Sequence, residues 1–385
     1  MMKVLIAIDS FKGSISSIEG SEAISLGIKE IYPEAEIVTL PLADGGEGTV
    51  EALVQATDGK RVEKEVAGPL KEKVHAAYGI LGDGKTAIIE VAAACGLPLV
   101  PDSQRNPLLT TTYGVGELIS DAIEKGCREF VIGLGGSATN DAGIGMLQAL
   151  GFRFLNQQNE EVGLGAQALH DIWKMDLSQV HAKLRECTFK VACDVNNPLY
   201  GPNGAAYIFG PQKGAAPDMI EQLDKGLKHF AEIVLHALGT DIHNTPGAGA
   251  AGGLGAAFSG FLNAHLQSGI QLVLDIVNME KNMQGADFVI TGEGKLDGQT
   301  SMGKAPLGVA QLAQKHKIPV LALAGGVNEE TAVLNKLGVT SYFSIVNAPM
   351  TLEEAMDPKV AFNNLKSTTN QLFRLLQAVR TGVKM

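Results

Sequence analysis

Residues 3–16 read Lys3-Val4-Leu5-Ile6-Ala7-Ile8-Asp9-Ser10-Phe11-Lys12-Gly13-Ser14-Ile15-Ser16, and the switch inside this stretch decides the fold class. Residues 4–8 are continuously apolar and bounded by polar ones, the mark of a strand buried on both faces of a parallel sheet. A Gly-containing loop follows, then a helix. Ser16 and Glu19 have capping-box spacing, Ile24, Ile28 and Ile31 fall on one helical face, and Pro33 stops the helix. Residues 36–40 read as a second strand and 46–56 as a second helix. This strand-helix alternation predicts a doubly wound parallel sheet of the Rossmann or flavodoxin-like kind.

Outward from this start the pattern changes. Residues 61–66, 74–80 and 86–91 look like three strands joined by Gly-containing turns with no helix between them, a meander that belongs to a second sheet. A helix over 113–124 and a strand over 129–134 follow. Residues 217–238 predict a long helix, with proline in its first turn and Ile220, Leu223, Leu227, Phe230 and Val234 along one face. From 287 the alternation resumes and ends in a helix over 361–379. The expected fold is therefore α/β in two domains. Residues 1–62 and 284–385 form a discontinuous doubly wound domain. Residues 63–283 form an inserted α/β domain with a mixed sheet, and ligands are expected in the cleft between the two.

Composition narrows the function. The net charge is −11 and no Lys/Arg run interrupts it, so nucleic acid is not an expected partner. Cys95, Cys127, Cys187 and Cys193 show no CxxC spacing, which argues against a zinc site or disulfide framework and for free thiols in a reducing cytoplasm. The apolar run at 4–8 is too short for a signal peptide. The weakly polar stretch 246–262 is mostly Gly and Ala and lacks the bulk of a membrane span.

Five polar, glycine-rich loops carry the candidate chemistry. In open α/β sheets ligands sit beyond the carboxyl ends of strands. In the first loop, Ser10 and Lys12 stand before a helix N-terminus and could hold a phosphate or carboxylate; an ordinary surface lysine, with Asp9 as a turn or cap residue, fits as well. The second, Ala43-Asp44-Gly45-Gly46-Glu47-Gly48-Thr49, offers oxygen ligands for Mg²⁺, or a helix cap at Asp44. The third, Gly133-Leu134-Gly135-Gly136-Ser137-Ala138-Thr139-Asn140-Asp141, places backbone N–H groups and hydroxyls where they could nest an anion. In the fourth, Cys193-Asp194-Val195-Asn196-Asn197-Pro198, Asp194 could activate a hydroxyl or bind a metal, with Asn196 beside it. The fifth runs Thr291-Gly292-Glu293-Gly294-Lys295-Leu296-Asp297-Gly298-Gln299-Thr300 and on to Gly303-Lys304. It matches only the first part of a phosphate-binding P-loop, since Ala305 stands where that motif needs Ser or Thr. Glu293 and Asp297 are further candidates for metal binding or proton transfer. Gly247-Ala248-Gly249-Ala250-Ala251-Gly252 fits G-x-G-x-x-G literally, but no clear strand precedes it, and it reads as close packing or a substrate-side loop.

In their order and spacing these five loops resemble the class I glycerate kinase family across roughly residues 3–380. The resemblance implies ATP-dependent phosphorylation of D-glycerate with Mg²⁺, and 2-phosphoglycerate rather than 3-phosphoglycerate as product. Phosphoryl transfer needs positioning and charge neutralisation rather than covalent chemistry, which suits lysines, carboxylates and backbone donors. The expected catalytic residues are Asp194, Lys12 and Asp297. The expected ligand-binding residues are Ser10, Lys12, Arg105, Gly135, Gly136, Ser137, Thr139, Asn140, Asn196, Gly292, Gly294 and Lys304, with Asp44, Glu47 and Glu293 on the metal. Arg105 and Lys12 compete for the glycerate carboxylate. A kinase of another hydroxy acid, a dehydrogenase using the Gly247 segment and a non-catalytic binding protein are the alternatives. Association as a homodimer stays open.

Overall fold

The computed structural model describes residues 1–298, 300 and 303–381; Gln299, quoted in the fifth loop, lies outside them. The chain forms two compact units, Met1–Asp44 with Ile270–Met385, and Gly45–Gly269.

The first unit carries a five-stranded, wholly parallel sheet. Its strands lie in the order Ser341–Ser344, Val320–Val327, Phe288–Leu296, Lys3–Ile8, Glu36–Thr39. Numbered within this sheet, that order is 2-1-3-4-5, the flavodoxin-like form of the doubly wound sheet. The apolar run at the chain start is its second strand from one edge, fully buried from Val4 to Ile8, because parallel strands flank it and helices cover it. Helix Ser17–Lys29 starts at the expected capping box, with Ser16 accepting from the Glu19 N–H. It packs with helix Pro358–Thr381 over Ile6, Ile8, Ile24, Ile28, Leu365 and Phe373.

Two elements differ from the sequence pattern, which predicts a strand over 288–291 and an α-helix over 329–337. Strand Phe288–Leu296 does not end near Thr291 but continues through Gly292, Glu293 and Gly294. Val320–Val327 pairs with it as far as Leu296↔Val327. Ladder pairing with this neighbour overrides the low strand propensity of glycine, and a Cβ at Gly292 would lie 2.2 Å from the Leu323 carbonyl oxygen. Residues 329–337 form a 3₁₀ rather than an α-helix.

The second unit holds a six-stranded mixed sheet in the order His265–Gln267, Thr188–Ala192, Glu129–Gly133, Thr86–Glu90, Lys73–Ile80, Lys60–Ala67. The last three are the antiparallel meander expected from the sequence; the others pair in parallel. Phe130 and Phe189 stack at 4.8 Å on one face. Helix Pro217–Leu238 buries Leu223, Leu227, Phe230 and Val234 as its periodicity predicts.

The unit limits at 44/45 and 269/270 differ from the expected ones near 62 and 284. Helix Thr49–Ala56 belongs to the mixed sheet: Val50 and Val54 lie against Gly79, and the Val50 N–H donates to Glu90 at 2.7 Å. Helix Gly269–Ile276 instead sets Ile270 and Leu274 against Gly308 of helix Ala305–Lys315.

Candidate functional site

A 2-1-3-4-5 sheet opens a crevice where strand order reverses, beyond the carboxyl ends of its first and third strands. Here those strands are Lys3–Ile8 and Phe288–Leu296, in register from Val4↔Phe288 to Ile8↔Gly292. The strand ends and loops here bring eight of the expected residues together with one that was read only as a turn residue.

That residue is Asp9. Its N–H donates to the Gly292 carbonyl at 2.9 Å, and its Oδ1 accepts from the Ser10 N–H at 2.6 Å. The carboxyl is buried. Burial, and after it the charge of nearby Asp44, pushes its pKa up to about 7; Lys12 opposes the shift and Glu293 adds to it. Lys12 is exposed, and its Nζ lies 3.3 Å from Asp44 Oδ2. Despite partial desolvation, Asp44, Asp9 and Glu293 raise the Lys12 pKa, so the ammonium stays charged.

The second half of this site folds back onto Glu293, a buried carboxylate whose pKa burial raises and whose hydrogen bonds from Thr300 and Lys304 lower it. Thr300 Oγ1 donates to its Oε1, and Lys304 Nζ lies 3.5 Å from its Oε2. Lys304 stands at the N-cap position of helix Ala305–Lys315, where the helix dipole also favours an anion. Asp297 Oδ2 lies 3.3 Å from Lys295 Nζ, and the Asp297 N–H donates to Thr300 Oγ1 at 3.1 Å. A Cβ at Gly294 would lie 3.5 Å from the Phe11 and Lys12 backbone. Ser10, Lys12, Asp44, Gly292, Glu293, Gly294, Asp297 and Lys304 are thus neighbours at one sheet edge, with two lysines on two of the acids.

The second unit gathers the rest. The parallel strands Thr86–Glu90, Glu129–Gly133 and Thr188–Ala192 end side by side, Glu90↔Gly133 and Gly133↔Ala192. From them issue the loops holding Gly135, Gly136, Ser137, Thr139 and Asn140, and Asp194 and Asn196. Gly135 and Gly136 are exposed, and among the described residues their N–H groups donate to no protein acceptor. Ser137, Thr139 and Asn140 are buried, and both amide atoms of Asn140 lack a partner. Asp194 is exposed, and its Oδ1 accepts from the Gly269 N–H at 3.1 Å. Asn196 is exposed as well, and Arg105 pairs with Asp102 at 2.7 Å.

Glu47 is exposed, and the neighbouring helix N-terminus is taken by Glu90, which accepts from the Val50 N–H. Among the described residues no three His, Cys, Asp or Glu side chains are grouped closely enough to hold a metal ion.

Three further residues escaped the sequence reading. Lys213 is buried, and its Nζ donates to Ser137 Oγ at 3.0 Å and the Thr139 carbonyl at 2.6 Å. Asp141 is buried at the far end of the same loop; its Oδ2 accepts from the Thr112 N–H and hydroxyl, each at 2.9 Å, and its Oδ1 from the Gly143 N–H at 3.1 Å. Glu90 is the third. The Gly247 segment is a packing element: Gly252, at φ +68°, would place a Cβ 2.0 Å from the Thr139 carbonyl oxygen, and its own carbonyl accepts from the Ala142 N–H. This contact leaves it no part as a dinucleotide loop.

Among the described residues, no helix is long and apolar enough to cross a membrane. A profile of the glycerate kinase family matches residues 4–377. The glycerate 2-kinase of Escherichia coli K12 is 49% identical over 364 residues, 94% of this chain and 95% of that protein. The glycerate kinase of Bacillus subtilis 168 is 50% identical over 356 residues, 92% and 93% of the two chains. A crystal structure of a protein assigned as glycerate kinase 2 from Salmonella typhimurium LT2 superposes with a TM-score of 0.90 at 45% identity, covering 99% of each chain. With half-identical relatives spanning nearly its whole length and a family match from end to end, the chain belongs to the glycerate kinase family.

Proposed function

We propose that this glycerate kinase transfers the γ-phosphoryl group of ATP to the 2-hydroxyl of D-glycerate in the cytoplasm, giving 2-phosphoglycerate. The observation that carries the reading is the cluster of Lys12–Asp44 and Lys304–Glu293 at the sheet's switch point, with Asp9 buried beside them. Two lysines balanced by two carboxylates suit a site whose cargo brings several negative charges of its own. An arriving triphosphate competes for the ammonium groups and leaves the carboxylates available to a cation. The chain's net charge of −11 makes such local neutralisation necessary.

The donor set fits Mg²⁺. That ion takes one or two protein carboxylates and fills its remaining positions with phosphate oxygens and water, so no three-acid cage is required. Asp44 and Glu293 would hold it, and when bound it offsets charge on the transferring group. Lys12 and Lys304 bind and orient phosphate oxygens. The exposed N–H groups of Gly135 and Gly136 offer a second anion-binding element, and Arg105 serves the glycerate carboxylate. Asp194 orients the acceptor hydroxyl by hydrogen bonding. Asp297, paired with Lys295, donates its N–H to Thr300, which in turn bonds Glu293.

The preference for the 2-hydroxyl draws support from the name of the E. coli relative. Phosphorus NMR of the product formed from D-glycerate, ATP and Mg²⁺ tests it: the 2-phospho ester is expected, and the 3-phospho ester as main product would overturn the assignment.

A further inference from the structure

We infer that Lys213 is a positioning residue of the kinase reaction, whose ammonium holds the 137–140 arm of the Gly-Gly loop in its ligand-receiving shape. This rests on the reading that the 133–141 loop meets a ligand.

Lys213 ends the short turn Pro211–Lys213, more than seventy residues from the loop it holds, and is only 2% exposed. Two of its three N–H donors go to Ser137 Oγ and the Thr139 carbonyl. No carboxylate lies within ion-pair distance of it among the described residues. A buried ammonium without a salt bridge is expensive, and a neutral amide could make the same two hydrogen bonds at less cost. The charge is therefore not explained by packing. What the charge touches is the loop whose tip, Gly135 and Gly136, exposes N–H groups, and in which Asn140, next to Thr139, has a buried amide with no partner among the described residues. Asp141 grips the adjoining stretch through Thr112 and Gly143. Lys213 and Asp141 thus hold neighbouring stretches of a buried loop whose backbone is also tied to Cys95 and Leu97.

The groups facing Lys213 are few. Cys95, at the end of helix Ala92–Cys95, has its thiol pushed up to about 12 by burial and is neutral at working pH. Asp141 faces it from the loop, and its charge favours the ammonium. Arg105, packed against Gly214, is paired with Asp102. Against these, burial lowers the Lys213 pKa to about 8, so the loop should lose its anchor in mildly alkaline solution.

The test measures kcat and kcat/KM for D-glycerate from pH 6.5 to 10 in the parent, Lys213→Met and Ser137→Ala, with thermal melting of each as a folding control. In the parent, activity should fall as pH rises through about 8. In Lys213→Met that alkaline limb should vanish, with activity roughly 10- to 100-fold lower, the scale of a misplaced contact. In Ser137→Ala, loss of one acceptor for the ammonium should move the limb to lower pH. If Lys213→Met does not fold, the limb shift in Ser137→Ala decides alone. An unmoved limb in Ser137→Ala, or Lys213→Met within about threefold of the parent with its limb intact, overturns the inference. Failure of the functional reading would show differently, as a parent that does not turn over glycerate.

Discussion

Replacing Lys213 by Met should change how stability depends on pH, and the size follows from burial. Desolvation lowers this lysine's pKa from 10.5 to about 8. At 1.36 kcal/mol per pH unit, the charged side chain costs the native state about 3 kcal/mol below pH 8. The group is fully buried, so no solvent screening reduces this figure. Between pH 8 and 10.5 the unfolded chain binds the proton and the native one does not. Stability of the parent therefore rises with pH across that window, while a methionine contributes nothing. Below pH 8 the variant escapes the desolvation cost but leaves the Thr139 carbonyl unsatisfied, worth about 1–3 kcal/mol, so the two proteins should melt close together. If the unit Gly45–Gly269 melts on its own, its entropy of unfolding is about 0.5 kcal/mol/K, and 3 kcal/mol is about 6 °C. Differential scanning calorimetry at pH 7.5, 9 and 10 should then show the parent gaining about 4–6 °C on Lys213→Met. A difference that stays constant within about 1 °C, or that shrinks, would mean that Lys213 ionises like a solvated amine and would refute the reasoning.

Other substitutions probe the site directly. Lys12→Ala and Lys304→Ala should each lower kcat/KM by about 30- to 1000-fold, the worth of a phosphate contact that strengthens in the transition state; steady-state kinetics showing less than a threefold loss would make either one a surface lysine. Asp194→Asn, nearly isosteric, should lower kcat for D-glycerate by about 10-fold or more with little change in Mg²⁺ requirement; an altered Mg²⁺ titration instead would make Asp194 a metal ligand. Gly252→Ala should destabilise the protein by about 2–4 kcal/mol, because it adds a Cβ at a positive φ against the Thr139 carbonyl. Calorimetry should register this as a lower melting temperature, and an unchanged one would contradict the close approach.

Elements with a strong period were legible in the sequence. The run at 4–8, the capping box at Ser16 and Glu19, the meander and the apolar face of helix Pro217–Leu238 all rest on local patterns, and the structure has each of them. The loops that follow strand ends were legible because α/β topology assigns their place. What local pattern could not supply was pairing across distance. Strand Phe288–Leu296 runs on through two glycines because Val320–Val327 continues beside it.

The same limit explains the missed residues. Lys213 sits in Gly210-Pro211-Gln212-Lys213-Gly214, which reads as a surface turn, and only the fold brings the 133–141 loop over it. Asp9 reads as a turn residue until its strand is seen packed between Phe288–Leu296 and Glu36–Thr39. Asp194 closes an apolar strand, yet its side chain is exposed, with the Gly269 N–H on one oxygen.

The central claim is ATP-dependent phosphorylation of glycerate, and coupled measurement of ADP release tests it most directly. With ATP, Mg²⁺ and D-glycerate together, ADP should form in step with glycerate consumed, and omission of any one should abolish it. ADP release at an equal rate without an acceptor, or with hydroxypyruvate in place of glycerate, would contradict the account.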